Sequence, residues 1–346
     1  MPFCSGQGTS PLRQQGTTTV NSTRPTDNAR HSTLLALLIA MMLALTACAQ
    51  AEPVSHLREV QPVSLVSDIM FGAYTYGGIW RGMEPVLELE ADLGRRLDIV
   101  HWFTNWQNDW DPRLVAPLVG TGRMPMISWQ NHDVSVREIA AGARDAYIRS
   151  WAEGIREYGG LVYLRPFPEM NGDWTSWNGD PEGLVLAWRH MVGIFNEAGA
   201  HNARWVWSPN VTDEPRTEAN RMENYYPGSE YVDILALDGY NWGSVRNFIG
   251  WRSFEDVFAE GYDRVTALGA QPFWVAETGS TEHGGDKAAW VQDMFTTRSF
   301  DRLEAIIWFN ENKETDWTVD SSQSTLASFQ AVVPLLGSVD LASSDR

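Results

Sequence analysis

The chain has 346 residues, a formal net charge of −18, 17 Trp and two Cys. With 43% hydrophobic and 20% charged residues, it has the composition of a folded globular protein rather than a disordered one. The acidic excess argues against nucleic acid as a partner, because phosphate binding needs concentrated Lys and Arg. Two Cys are too few for a disulfide framework or a Cys-rich zinc site.

The N-terminal segment is predicted to be a targeting signal. Leu34–Leu45 is an uninterrupted apolar run, too short to cross a ~30 Å hydrocarbon core but typical of a secretory signal. It ends in the letters LTAC, which resemble the lipobox of bacterial lipoproteins, with Cys48 as the lipidated residue. We therefore expect residues 1–47 to be a lipoprotein signal peptide and residues 48–67 a tether. The protein would then lie in the cell envelope, held to the membrane only through its lipid, or outside the cell. Ordinary cleavage after Ala51 is the alternative.

Eight short segments of the body are predicted to be β-strands. Each is apolar nearly throughout, as expected of strands that are buried on both faces. In chain order they are Ile69–Tyr74, Leu97–Trp102, Met124–Trp129, Leu161–Arg165, Arg204–Trp207, Val232–Leu237, Pro272–Ala276 and Ala305–Phe309. Strands of this kind are typical of a parallel sheet covered by helices.

Helix candidates alternate with these strands. Asp111-Pro112 and Asp180-Pro181 each supply a cap followed by a first-turn Pro, and Val136–Tyr158 is expected to be one helix that ends at Gly159-Gly160. The other candidates are Phe254–Leu268, Lys287–Phe295, Thr325–Leu336 and a weak, short helix between Arg221 and Tyr226.

This alternation predicts the α/β class and a single (β/α)8 TIM barrel over residues 68–338, with a polar tail at 339–346. An open, doubly wound sheet would show the same alternation. We favour the barrel because no Gly-rich phosphate loop follows any strand. Polar and aromatic residues also gather after nearly every strand, at the end where barrel active sites are built.

The residues after the strands have the composition of a sugar-binding site. Indole faces stack on pyranose rings, while carboxylates and amides pair with hydroxyl groups. One Trp alone is more often core packing, but the recurrence at six of eight strand ends favours a site. The candidate substrate-binding residues are Trp102, Trp106, His132, Arg165, Asn171, Trp174, Trp177, Trp207, Asp238, Tyr240, Trp242 and Trp308.

Two carboxylates in this set are the candidate catalytic residues. Glu169 follows a strand among aromatic residues, where burial would raise its pKa as a general acid requires. Glu277 closes an apolar strand and, if held ionised by a nearby Tyr or Arg, would be a nucleophile. Retaining glycosidases use such a pair with carboxyl groups ~5–5.5 Å apart. The alternative is a structural role, for example an ion pair between Glu169 and Arg165.

Three segments make the chain resemble glycoside hydrolase family 26, a β-mannanase-like family of retaining (β/α)8 glycosidases. They are RPFPEMNGDWTSW at 165–177, DGYNW at 238–242 and AETG at 276–279. The resemblance implies that Glu169 is the acid/base and Glu277 the nucleophile. It also implies that Trp174 stacks on substrate, that Tyr240 hydrogen-bonds the nucleophile, and that Trp308 floors the central subsite.

Two departures from the family put its mannan specificity in doubt. Pro168 stands where the mannanases have His before the acid/base, and Phe309 stands where they tend to have Arg. A β-mannan-type polysaccharide is our first expectation, with a lichenase-like β-glucanase, a β-1,3-xylanase and an exopolysaccharide hydrolase as alternatives.

A non-catalytic, carbohydrate-binding lipoprotein that serves a transporter is the alternative from another class. The sequence has no H-E-x-x-H, G-x-S-x-G or Cys/His cluster, so we expect no metal and no cofactor. The expected protein is a monomeric O-glycosyl hydrolase.

Overall fold

The computed structural model describes residues 69–247 and 249–337. The predicted signal peptide, the tether with Cys48, and the polar tail all lie outside these residues. Within the described ranges, no helix is both long and apolar enough to cross a membrane.

Eight parallel strands form a closed barrel in chain order. They are β1 Met70–Thr75, β2 Ile99–Asn105, β3 Met124–Gln130, β4 Val162–Pro166, β5 Ala203–Trp207, β6 Ile234–Asn241, β7 Phe273–Ser280 and β8 Leu303–Asn310. The barrel closes because β8 pairs with β1, from Ala305 opposite Met70 to Asn310 opposite Thr75. The predicted (β/α)8 barrel is confirmed, and the open sheet is excluded by this last pairing.

Helices cover the outside of the barrel. They are α1 Glu84–Leu93, α2 Pro112–Val115, α3 Val136–Ala140, α4 Asp145–Tyr158, α5 Pro181–Ala198, α6 Phe254–Thr266, α7 Lys287–Thr296 and α8 Gln323–Val332. Two predicted caps are present, since Asp111 accepts from the backbone N–H of Arg113 and Asp180 from that of Gly183. Between β5 and β6 the described chain forms only short 3-10 turns, of which Met222–Tyr225 lies where we expected a weak helix.

The prediction of one helix over Val136–Tyr158 was wrong, because the segment divides into α3 and α4. Gly142 lies between them with φ of 84°, a left-handed conformation that ends a helix and that glycine adopts without strain. A capping box between Ser135 and Glu138 fixes the start of α3. The sequence pattern was apolar enough on both sides to hide this break.

The buried residues form two layers that alternate along each strand. One cluster takes residues from all eight strands and from no helix, and therefore fills the barrel; Met126, Tyr163 and Trp274 are among its larger members. The other cluster lies between the strands and the helices and contains Trp102, Trp129, Trp207 and Trp308. Since successive side chains of a strand point to opposite faces, this alternation decides which residues face the interior.

Candidate active site

Glu169 and Glu277 line the same cavity at the carboxyl ends of the strands. The cavity has a volume of about 900 Å³, and a smaller one of about 360 Å³ adjoins it; both carboxylates line both. Glu169 lies three residues past the end of β4, and Glu277 lies within β7. The structure therefore brings the two candidate catalytic residues together.

Glu277 is held by a cation and a phenol. Arg165 Nη2 donates to its Oε2 over 2.8 Å, and the Tyr240 hydroxyl donates to its Oε1 over 2.5 Å. The same Arg165 Nη2 also donates to Asp238 Oδ2 over 2.9 Å. Arg165, which is 1% exposed, and Tyr240 therefore supply one donor to each oxygen of Glu277.

Asp238 is buried beneath this pair. It accepts from the Ser208 hydroxyl over 2.6 Å as well as from Arg165. Burial raises the pKa of Asp238 well above the usual range, an effect that Arg165 opposes and the charge of Glu277 reinforces. Glu277 and Asp238 thus share one buried guanidinium. Asp238 is fully buried and lines neither cavity, so our prediction that it contacts substrate is corrected to a supporting role.

Glu169 has the opposite environment. Burial raises its pKa, and the negative charge of Glu277 raises it further. Asn210 Nδ2 donates to its Oε1 over 2.6 Å and Trp174 Nε1 to its Oε2 over 2.8 Å, which partly offsets the rise. A carboxyl group with a raised pKa, next to one whose two oxygens are bound by a cation and a phenol, has the properties of a general acid beside a nucleophile.

The turn that carries Glu169 has an unusual backbone. Phe167 and Glu169 both adopt the left-handed region, with φ of 52° and 54°, on either side of Pro168. Such conformations in residues other than glycine store strain and occur often at functional sites. A hydrogen bond of 2.9 Å from the Glu169 N–H to the Ser208 carbonyl ties this turn to the residue after β5.

Trp174 forms an exposed wall of the site. It is 53% exposed, and its indole lies over Gly172, where an added Cβ would be 2.3 Å from the ring. Only glycine at position 172 therefore lets this indole reach Glu169. Trp177 and His132 lie with their ring centroids 5.2 Å apart and line the smaller cavity, and Trp242 lines the larger one.

Four of the tryptophans that we predicted to bind substrate do not line either cavity. Trp102, Trp106, Trp207 and Trp308 are at most 6% exposed and belong to the layer beneath the helices. For Trp102, Trp207 and Trp308 the reason is the alternation along the strand, which turns their side chains outward. Trp106 follows β2 and packs against Trp129, with ring centroids 4.8 Å apart.

Trp308 also does not floor a subsite. Its Nε1 donates to the backbone carbonyl of Trp317 over 2.9 Å, and its ring packs on Phe329 of α8. Trp308 thus supports Trp317, which does line the larger cavity. The expectation for Trp308 was therefore wrong.

Asn171 supports the site without lining it. It is fully buried, its Oδ1 accepts from the Asn210 N–H over 2.8 Å, and its Nδ2 donates to the Asn210 carbonyl over 2.9 Å. These two hydrogen bonds fix the position of Asn210, whose side chain contacts Glu169. The prediction of a substrate contact by Asn171 is corrected to a positioning role.

Several residues at the cavity were not among our candidates for substrate binding, and Asn210, Phe309 and Trp317 are three of them. Phe309 faces inward on β8 and stacks on Tyr74, with ring centroids 4.9 Å apart and planes 19° apart. Trp317 lies on the segment 311–322 between β8 and α8, here called the β8 loop, and its ring lies 5.0 Å from that of Tyr240. The inward alternation of β8 would have identified Phe309, whereas the β8 loop has no periodicity that points to Trp317.

A buried lysine holds the β8 loop. Lys287 is 0% exposed, and its Nζ donates to the carbonyls of Asp316 and Thr318 and to the hydroxyl of Ser321, at 3.2, 2.8 and 2.8 Å. Burial lowers the pKa of Lys287 to about 8. Its three donors fix the backbone on both sides of Trp317. Across residues 69–247 and 249–337, no group of three His, Cys, Asp or Glu is placed to hold a metal ion.

Comparison with known proteins finds similarity to glycosyl hydrolases. Residues 139–282 match the family model described as glycosyl hydrolase family 26. Endoglucanase H of Acetivibrio thermocellus is 35% identical over 290 residues, which cover 78% of this chain and 32% of that protein. A mannan endo-1,4-beta-mannosidase of Bacillus subtilis is 27% identical over 201 residues, which cover 52% of this chain and 50% of that protein. The chain thus spans a third and a half, respectively, of these two relatives.

Solved structures of the same fold agree with the observed barrel. GH26A from Muricauda sp. aligns with a TM-score of 0.56 at 18% identity, over 78% of this chain and 90% of that one. A modular endo-beta-1,4-mannanase from Cellulomonas fimi aligns with a TM-score of 0.59 at 16% identity, over 77% of this chain and 70% of that one. At these identities the likeness concerns the fold.

Proposed function

The chain belongs to glycosyl hydrolase family 26, and from that premise we propose that it hydrolyses a β-linked polysaccharide with retention of configuration. The observation that carries the proposal is the pair Glu169 and Glu277 on one cavity. One carboxyl group has a raised pKa, and the other is bound by Arg165 and Tyr240. The two roles of a retaining glycosidase need this difference between two carboxyl groups.

The proposed reaction is a double displacement. Glu169 donates its proton to the glycosidic oxygen while Glu277 attacks the anomeric carbon, which gives a glycosyl-enzyme and releases the leaving sugar. Glu169, now ionised, takes a proton from a water molecule that attacks the same carbon and releases Glu277. Asn210 and Trp174 donate to the two oxygens of Glu169 and so orient it in both steps.

The two residues can be separated by their response to a small nucleophile. Glu277→Ala should abolish turnover of an activated aryl β-glycoside. Glu169→Ala should retain the first step with such a leaving group and yield a β-configured glycosyl azide when azide is added. Glu314→Gln is the matched control, since Glu314 lines the same cavity but is paired with Lys313. Full activity of Glu277→Ala, or no azide product from Glu169→Ala, would refute the assignment.

The sugar of the backbone is the finer part of the proposal. The relative named endoglucanase matches over 290 residues, and the relative named mannan endo-1,4-beta-mannosidase over 201. This difference supports testing β-glucans ahead of β-mannans, with β-1,3-xylan third because a relative named beta-1,3-xylanase also matches. Soluble polysaccharides of each class, with sizing of the products, decide among them. Binding without any product would instead indicate a carbohydrate-binding protein.

We also propose that the mature protein is a monomer anchored to the cell envelope through Cys48. The support is the lipobox-like sequence that ends at this residue. Metabolic labelling with a radioactive fatty acid should mark the wild type and not Cys48→Ser. Sedimentation of the protein that begins after residue 48 should give one species of monomer mass.

A further inference from the structure

Two arginines that line the larger cavity form no ion pair within the described residues. Arg246 and Arg252 both line this cavity. Neither forms an ion pair with any residue in the part of the chain that the structure describes. Other arginines of this acidic chain, such as Arg137 and Arg264, form ion pairs with carboxylates.

Arg246 is held in place by an aromatic ring. Its guanidinium carbon lies 3.6 Å from the centroid of the Trp242 ring. A guanidinium stacked on indole keeps its N–H groups at the edge of the stack, where they can bind a carboxylate with two parallel hydrogen bonds. Stacking also removes one face of Trp242 from contact with a sugar, so this tryptophan presents a cation to the cavity.

Arg252 is partly buried, and burial acts against its charge more strongly than the nearby carboxylates support it. Burial lowers its pKa, while Asp256 and Glu260 act on it electrostatically but form no ion pair with it in the described chain. Asp256 accepts instead from the backbone N–H of Ser253 in the cap of α6. Removing a charge from water without a partner is unfavourable, and an anion in the cavity would offset this effect.

The acidic residues of the same cavity do not neutralise these two arginines. Glu314 is paired with Lys313 at 3.0 Å. Asp173 and Glu214 also line the cavity and are exposed, as is a third arginine, Arg216. The inference therefore uses Arg246, which is stacked on a ring, and Arg252, which is partly buried, and not the exposed Arg216.

We propose that the polysaccharide carries carboxylate groups and that Arg246 and Arg252 bind one of them in the larger cavity. This inference rests on the proposed glycosidase function and specifies its substrate as an acidic β-glycan. A carboxylate on a sugar ring fits because it supplies the negative charge that would pair with the two arginines. It also has the two oxygens that the edge of a guanidinium binds. The net charge of −18 does not prevent this, because charge repulsion is screened beyond about 8 Å at physiological salt.

The test compares a neutral β-glucan with the same glucan after partial oxidation of its C6 hydroxymethyl groups to carboxylates. Wild-type kcat/KM should be roughly tenfold higher on the oxidised polymer, the contribution of one charge-assisted hydrogen bond. The preference should disappear in Arg246→Gln and in the double variant with Arg252→Gln. Arg149→Gln is the matched control, since it removes the same charge from an exposed pair with Glu197 on the outer helices. A sulfated form of the glucan distinguishes a carboxylate site from a general anion site.

A parallel binding measurement keeps the two proposals separate. Glu277→Gln is titrated calorimetrically with a cello-oligosaccharide and with its C6-oxidised form, and the arginine variants are measured in the same background. Equal or weaker binding of the oxidised form, or equal preference for a sulfated one, would overturn the inference even if neutral glucan is hydrolysed. Absence of hydrolysis on every substrate, including the aryl glycoside, would refute the proposed function. The affinities would still decide whether the cavity binds carboxylates.

Discussion

The hydroxyl of Tyr240 is the contact whose removal tests the nucleophile most directly. It donates to Glu277 Oε1 over 2.5 Å, and Arg165 occupies the other oxygen over 2.8 Å. Tyr240→Phe deletes one atom and keeps the ring, which packs against Trp317 with centroids 5.0 Å apart. The change therefore removes a donor from the carboxylate without opening the wall of the cavity.

The expected loss follows from the strength of one hydrogen bond. A hydrogen bond to a charged group contributes roughly 1.5–3 kcal/mol, which is about 10- to 150-fold in rate when the bond holds the attacking group. Glu277 is 8% exposed, so a water molecule can replace part of the lost bond. We expect kcat/KM for an activated aryl β-glycoside to fall by roughly tenfold, near the lower end of this range.

Tyr262→Phe is the matched control. The Tyr262 hydroxyl also donates to a carboxylate, that of Asp301, but neither residue lines the cavity. Both variants are compared by steady-state kinetics and by thermal unfolding. The expected outcome is a loss of activity in Tyr240→Phe alone, at similar melting temperatures. A Tyr240→Phe enzyme within about threefold of the wild type would show that this hydroxyl does not hold the attacking group.

Two further predictions concern buried titratable groups. Because burial raises the pKa of Glu169, its contribution to stability is present below the ordinary Glu range and is lost as the pH rises through the raised value. Glu169→Gln should therefore be inactive on polysaccharide yet melt higher than the wild type at pH 7, and this difference in melting temperature should shrink toward pH 4. A lower melting temperature than that of the wild type at pH 7 would contradict the argument. Lys287→Met leaves three oxygens of the β8 loop without a donor. It should therefore lower kcat/KM roughly five- to tenfold and increase hydrogen exchange over 311–322. Unchanged exchange in this loop would contradict the positioning role of Lys287. Since the pKa of Lys287 is about 8, wild-type exchange in the loop should also rise above pH 8 beyond the normal increase with pH.

The barrel was predictable from the sequence because its strands are short, apolar and regularly spaced. It was harder to predict which side chains of each strand point into the barrel and which point to the helices, since a strand buried on both faces shows no alternation of apolar and polar residues. The strands nevertheless contain a signal of their phase, in the isolated polar residues that point inward. His101 precedes Trp102, and Ser208 follows Trp207. Each of these buried polar residues points to the inside of the barrel, while the neighbouring tryptophan points to the layer beneath the helices. This alternation would have excluded the outward-pointing tryptophans from the candidate substrate-binding residues.

The contacts between distant loops could not be predicted in this way. Trp317 reaches the cavity only because Lys287 and Trp308 hold the β8 loop from below. The stack of Arg246 on Trp242 depends likewise on the course of the chain after β6. Such contacts are set by the backbone path of irregular segments, for which the sequence gives no period.

The sharing of Arg165 between two carboxylates has a consequence for the reaction. When Glu277 becomes an ester in the glycosyl-enzyme, it loses the negative charge that Arg165 binds. Arg165 keeps Asp238 as a partner at 2.9 Å, and loss of the Glu277 charge removes one of the causes that raise the pKa of Asp238, so this carboxyl group can serve as the anion beside the guanidinium. Since an uncompensated buried charge costs about 3–5 kcal/mol, this second carboxylate stabilises the intermediate.

Asp238→Asn should therefore destabilise the glycosyl-enzyme by roughly 100-fold or more, the equivalent of breaking a buried pair. With a dinitrophenyl β-glycoside in a stopped-flow instrument, the wild type should show a burst of dinitrophenolate when deglycosylation limits turnover. A 2-fluoro sugar, which slows deglycosylation, should trap the ester on the wild type whichever step is limiting. The variant should accumulate far less of the ester than the wild type at equal substrate. Asp233→Asn is the control, because Asp233 is a partly buried Asp that lies before β6 at the opposite end of the barrel and accepts from the Trp205 N–H. An Asp238→Asn enzyme that accumulates the ester like the wild type would show that Arg165 needs no second anion, and that Asp238 serves the fold and not the intermediate.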